Sequence, residues 1–263
     1  MKRIFLGGII FQLIFSCSFH EKFPEPVTLP VTNNGEVFLA TTELGSGQKD
    51  VQHKKNMPAT LNDLFEMQQM YLQEDRQFVL ENFFNSWTAF KNTTTLNRLT
   101  EEEVFQWFKL TGFAFQLTGK AECAEEMEKV AWQRFSDAPG LFDSLVSPYI
   151  FTKKVDHIHV NLFLPNEISY AHTLGGNVNI VQETDFPKSG SIRLNFSMEI
   201  KRYIEIFVRI PSWAENASVT VKGVKYFAQP GRYSIIAKKW KEGDVVEIEF
   251  PMENIPDYLK REI

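Results

Sequence analysis

Apolar residues in the first half of the chain recur at three- and four-residue spacing. Leu64, Met67, Tyr71 and Leu72 form one such stripe, with Thr60 or Asn62 placed to cap it. Phe78, Leu80, Phe83, Phe84, Trp87 and Phe90 form a second, and Asn92-Thr93-Thr94-Thr95 interrupts it. Thr100-Glu101-Glu102-Glu103 has the form of a capping box, with acids where the helix dipole favours them. The following helix, Val104 to Leu117, is apolar on several sides and therefore expects several neighbours. Thr118-Gly119-Lys120 ends it, and Ala121 to about Phe135 reads as another helix with Met127, Val130, Ala131 and Phe135 inward. After Pro139 the period shifts toward two. Strands are expected at 157–164, 177–182, 191–196, 204–210, 218–221, 233–237 and 245–250, separated by Gly- and Pro-containing turns. Helices thus precede strands in segregated blocks, an α+β organisation. Residues 61–138 are expected to be helical, 139–252 an antiparallel β-sandwich, and 253–263 a C-terminal tail.

The region before Leu61 differs. Residues 18–60 carry scattered prolines, glycines and charges and read as a linker, with one candidate strand at Glu36–Thr42. Residues 1–17 begin Met-Lys-Arg and continue into an apolar run from Ile4 to Phe15. That run is shorter than the about 20 residues of a membrane-spanning helix and fits a signal peptide. Ser16-Cys17 lies where a lipoprotein signal is processed, which makes Cys17 a candidate lipidation site and an N-terminal lipid a candidate membrane anchor. An ordinary cleaved signal with an incidental cysteine is the alternative. The expected location is secreted or cell-envelope.

Composition narrows the function. The chain is 43% apolar, with 24 phenylalanines, enough for a substantial core. A net charge of −5 argues against a nucleic-acid partner, and Lys153-Lys154 and Lys238-Lys239 read as solvated faces. Cys17 and Cys123 are the two cysteines, too few for a disulfide framework or an all-cysteine metal site. His157 and His159 share a strand face, with His172 further along; two histidines so placed can ligate a metal, or stand as ordinary strand residues. No phosphate loop, nucleophile elbow or H-E-x-x-H pattern occurs.

Several phrases in the β half carry a resemblance. Arg209-Ile210-Pro211-Ser212-Trp213-Ala214 is followed by Ser218-Val219-Thr220-Val221-Lys222-Gly223, Pro230-Gly231-Arg232-Tyr233, Trp240-Lys241-Glu242-Gly243-Asp244 and Ile248-Glu249-Phe250-Pro251-Met252. Upstream stand Tyr149-Ile150-Phe151, His159 through Glu167, and Leu117-Thr118-Gly119-Lys120 through Ala131. Together they resemble glycoside hydrolase family 127, the β-L-arabinofuranosidases, over about Glu101 to Met252. The resemblance implies that the helices are the end of an (α/α) barrel, shorter than a full one, and that the strands are its appended sandwich. Three or four helices in place of a whole barrel would leave an apolar face uncovered.

The family's chemistry, as the resemblance implies it, is retaining hydrolysis of terminal arabinofuranosides by a cysteine thiolate. Zinc bound by cysteines and a glutamate lowers that thiol's pKa, and a separate glutamate serves as acid/base. The matching positions fall near Arg134–Pro139 and Thr100–Glu103, and neither segment contains a cysteine. Cys123 lies on the intervening helix and reads as a small buried hydrophobe. Glu102 is the remaining catalytic candidate, although capping accounts for it. The expectation is an exported, truncated and catalytically degenerate relative without cofactor. The alternative is a cell-surface carbohydrate-binding or accessory sandwich, with Trp213 and Trp240 as candidate glycan-stacking residues and a glycan as partner.

Overall fold

The computed structural model describes residues 25–26, 60–73, 77–136 and 139–260. The signal peptide, Cys17, the strand expected at Glu36–Thr42 and nearly all of the linker lie outside the described residues.

The helices are α1 (Leu61–Gln73), α2 (Gln77–Thr93), α3 (Glu101–Thr118), α4 (Ala121–Val130), α5 (Pro139–Leu145) and α6 (Asp257–Lys260). Thr60, not Asn62, caps α1: its hydroxyl accepts from the Asp63 amide while the Asp63 carboxylate accepts from the Thr60 amide. The Thr100–Glu103 box opens α3 in the same reciprocal way, and the two bonds from Thr100 hold the Glu103 carboxyl below its usual range. Gly119, at φ 60°, closes α3 by donating its amide to the Phe115 carbonyl. The breadth of apolar surface on α3 is explained by its position, since it packs against α1, α2 and α4. Trp87 stacks on Trp107 at 5.8 Å, and their indole N–H groups reach Thr111 and Glu126. The described helices gather around α3. Their large apolar side chains left exposed are Phe65 and Leu72, one stripe of α1.

The strands are β1 (Glu25–Pro26), β2 (Phe151–Lys154), β3 (His157–Val160), β4 (Asn166–Ala171), β5 (Asn177–Thr184), β6 (Ser191–Met198), β7 (Arg202–Arg209), β8 (Ser218–Val221), β9 (Val224–Phe227), β10 (Tyr233–Trp240) and β11 (Val245–Glu249). They form a five-stranded sheet, ordered β1-β2-β3-β7-β10, and a six-stranded sheet, ordered β4-β5-β6-β11-β8-β9. Period-two burial turns one side of each sheet inward. Ile158, Ile204, Ile206 and Val208 face Ile180, Leu194, Phe196 and Ile248 in one continuous core. Phe196 of β6 and Trp240 of β10 stack across the layers at 4.0 Å.

The expectation of a purely antiparallel sandwich is corrected at one ladder. β3 and β7 run parallel, with His157 opposite Glu205 and Val160 opposite Val208. After β3 the chain crosses to the other sheet, builds β4, β5 and β6 there, and returns beside β3 in the same direction. Two further elements depart from the reading. Residues 139–145 are the helix α5, where strands were expected to begin; the first strand after the helices starts at Phe151. The segment after Met252 is not a loose tail through residue 260, because α6 folds back and buries Leu259.

Candidate functional site

The most concentrated buried polar chemistry lies where α4 meets the five-stranded sheet. Glu125 and Glu128 are one turn apart on α4 and so share a face. Arg209 follows the inward Val208 on β7, and its side chain therefore leaves the opposite face of the sheet, toward α4. Its Nη2 donates to Glu128 Oε1 at 2.6 Å, and both side chains are buried. Its Nε donates to the Asn161 carbonyl at 2.5 Å, and the guanidinium lies over the Phe163 ring. Asn161 extends the network. Its amide donates to the Tyr149 carbonyl and to Thr152 Oγ1, and its side-chain oxygen accepts from the Tyr233 hydroxyl at 2.6 Å. One turn away, the Glu125 carboxylate accepts from both the amide and the hydroxyl of Ser212. The Arg-Ile-Pro-Ser-Trp phrase thus clasps α4 at two points, through its first and fourth residues.

The electrostatics follow from burial. Desolvation pushes the Glu128 carboxyl up to about 7, against the attraction of Arg209. Burial also opposes the charge on Arg209, but Glu128 and Glu125 outweigh it and hold the guanidinium above its ordinary value. Tyr233 and Tyr258 are both pushed up, chiefly by burial. Glu128 Oε2 and Arg209 Nη1 are buried with no hydrogen-bond partner among the described residues. The arrangement fastens two layers together, with Arg209 and Glu128 buried and the Ser212–Glu125 pair at the surface.

Cys123 faces the same interior from α4. It is fully buried, its sulfur lies 3.7 Å from the Thr118 hydroxyl, and burial pushes its thiol up to about 12. Such a group remains a thiol near neutral pH, whereas nucleophilic attack and zinc ligation need the thiolate. Among the described residues no three His, Cys, Asp or Glu side chains are placed to hold a metal ion.

The other candidates lie apart. Glu102 is exposed in the first turn of α3, beside the Glu103 that completes the box. Trp240 cannot stack on a sugar: it is fully buried, Phe196 covers its face, and its N–H donates to the Ile204 carbonyl. Trp213 is half-buried, stacked on Phe186 with its edge toward Phe250, and acts as a lid on the core after Pro211. His159 stacks on Phe207 at 4.3 Å and is lowered to about 4 by burial and then by His157. His157 approaches Glu205 in the open, and His172 is buried in a loop with Asp156 and the Tyr203 carbonyl. The Trp240–Asp244 segment forms a tight turn: Gly243 has φ 74°, and the Asp244 carboxylate accepts from the Lys241 amide and Lys238. Sequence reasoning missed the pairing of Glu125 and Glu128 with Ser212 and Arg209. The available signal was weak: two acids at i and i+3 on a helix that also carries Glu122, Glu126 and Lys129.

This two-layer architecture has a counterpart among solved structures. A structure described as "Glycoside hydrolase" superposes with a TM-score of 0.59 at 18% identity, over 73% of this chain and 46% of that one. Residues 157–252 match the family model described as Beta-L-arabinofuranosidase, GH127 middle domain, so the resemblance to family 127 holds for that segment. Two solved family members are also similar. Ara127N, a GH127 beta-L-arabinofuranosidase from Geobacillus stearothermophilus T6, has 23% identity over 57% of this chain and 30% of its own, with a TM-score of 0.47. The GH127 beta-arabinofuranosidase BT3674 has 22% identity over 57% of this chain and 31% of its own, with a TM-score of 0.47. The chain spans less than half the length of these structures. No curated protein matches it.

Two outcomes are expected from the clasp. Glu128→Met strands a buried guanidinium that cannot lose its charge and should cost about 3–5 kcal/mol in chemical denaturation. Arg209→Met should cost less, because Glu128 can take up a proton. The pH dependence has a definite sign. The folded chain holds a proton on Glu128 that the unfolded chain releases, since burial raises the carboxyl from 4.5 to about 7. The linked stability is full below pH 4.5 and is lost as pH rises through about 7. Unfolding free energies measured across that window should fall more steeply in the parent than in Glu128→Gln.

Proposed function

We propose that this chain is an exported relative of the β-L-arabinofuranosidases that does not hydrolyse arabinofuranosides by the family's thiolate route. The observation that carries the reading is the state of Cys123, the one cysteine beyond the N-terminal segment, sealed in the core as a neutral thiol. The helical segment then corresponds to the end of an (α/α) barrel whose remaining role is to support the sandwich. An accessory, carbohydrate-binding role is favoured by the same geometry, because the sandwich keeps an open polar face while the phrases that carry the family resemblance serve the scaffold. Export rests on the N-terminal sequence, with Cys17 as the lipid attachment point.

The direct test is release of p-nitrophenol from p-nitrophenyl arabinofuranoside by purified protein lacking residues 1–17, with and without added zinc. No turnover is expected in either case. Zinc-dependent turnover that Cys123→Ala abolishes would overturn the proposal. Anchoring is tested separately: the parent should partition with membranes and incorporate labelled palmitate, and Cys17→Ser should do neither. Equal behaviour of the two proteins would exclude Cys17 as the anchor.

A further inference from the structure

The outward side of the six-stranded sheet carries a feature that the scaffold does not use. Four strands, β6, β11, β8 and β9, lie side by side there, and their registers align two cross-strand rows. One row is Arg193, Glu247, Thr220 and Lys225. The other is Ser191, Glu249, Ser218 and Phe227. Residues directly opposite in an antiparallel pair present their side chains on the same face. A groove of about 580 Å³ runs over these rows and is lined by all of these residues except Phe227. Its volume falls within the about 300–1,000 Å³ of small-molecule sites, although it is open and polar.

Phe227 stands at the end of its row. It is 76% exposed, the large aromatic side chain most given up to water among those the structure describes as exposed. Its register partner Ser218 lines the groove, which places Phe227 on the same face at the end of the row. Lys225, two residues before it, lies 5.9 Å from the ring centre on the same side. The ring is therefore a flat apolar face beside a floor of donors and acceptors. Arg193 donates to Glu247 at 2.8 Å and Ser191 to Glu249 at 2.6 Å, which orients the carboxylates and leaves acceptor capacity on each. Three inter-strand steps give each row a span of about 14 Å.

We infer that this groove binds a short neutral oligosaccharide, with one sugar ring against Phe227 and its hydroxyls on Glu247, Arg193 and Thr220. Sugars combine an apolar ring face with hydroxyls that both donate and accept, and this surface offers the complement of each. The groove's charge selects against polyanions, because the carboxylates of Glu183, Asp185, Glu247 and Glu249 outnumber the cations Arg193 and Lys225. That the sugar is an arabinoside rests on the family match of the sandwich. The inference replaces the two tryptophans, whose faces are taken by the core, with an aromatic that is free.

The experiment is isothermal titration of the full chain with arabinotriose, for the parent, Phe227→Ala and Glu247→Gln, with thermal unfolding of each. The parent should bind. Phe227→Ala should weaken binding about tenfold or more, equivalent to about 1.4 kcal/mol. Glu247→Gln should weaken it as well. Unfolding midpoints should not move, since both side chains are exposed. No binding by the parent, unchanged affinity in Phe227→Ala, or binding that a metal chelator abolishes would each overturn the inference. Its failure is separable from that of the functional proposal: arabinofuranoside turnover would overturn that proposal and leave the groove intact, whereas an indifferent Phe227→Ala would do the reverse.

Discussion

The ion pair between Arg209 and Glu128 is the interaction on which the rest of the architecture depends. It joins residues 81 positions apart, one on the sheet and one on α4, in a place closed to water. Taking two charges out of water is costly, and one atom of each partner has no hydrogen bond among the described residues. Such a pair contributes little net stability compared with apolar side chains of equal size. Its effect is on registry. With the guanidinium committed to the Asn161 carbonyl on one side and Glu128 on the other, α4 can seat on the sheet in one position only. Ser212 and Glu125 repeat the constraint one turn along.

That constraint explains which phrases of the chain resemble a hydrolase family and why. The Arg-Ile-Pro-Ser-Trp phrase serves the joint: Arg209 and Ser212 hold α4, Pro211 ends the strand, and Trp213 covers the edge of the core. The Trp240–Asp244 phrase serves the core and a tight turn. In this chain both phrases therefore serve the scaffold. The Cys123 thiol, on the same helix, is fully buried beside the Thr118 hydroxyl.

Much of this was legible in the amino-acid order because it is local. The Thr100–Glu103 box and the end of the helix at Thr118-Gly119-Lys120 are decided within a few residues, and each appears where expected. The alternation of β5, β6, β7 and β11 revealed the inward faces for the same reason. β9 was not legible because all its residues are exposed and no alternation exists to read. β4 has few buried positions, and α6 is a single short turn held by Leu259. The parallel pairing of β3 with β7 depends on three strands being placed in the other sheet, which no local pattern encodes. Trp240 was misread for a related reason: a tryptophan at a strand end looks alike whether it faces water or the opposite layer.

The central claim is that helices and sandwich are one cooperative body through the Arg209–Glu128 joint. Native-state hydrogen exchange on the amides of Ala121–Val130 and Arg202–Arg209 tests it directly. The account predicts that the two segments open together with the same free energy in the parent, and that in Arg209→Met the α4 amides exchange sooner while those of β7 stay protected. Independent and weaker protection of α4 in the parent would contradict it, and would make the sandwich a separate unit to which the helices are only loosely attached.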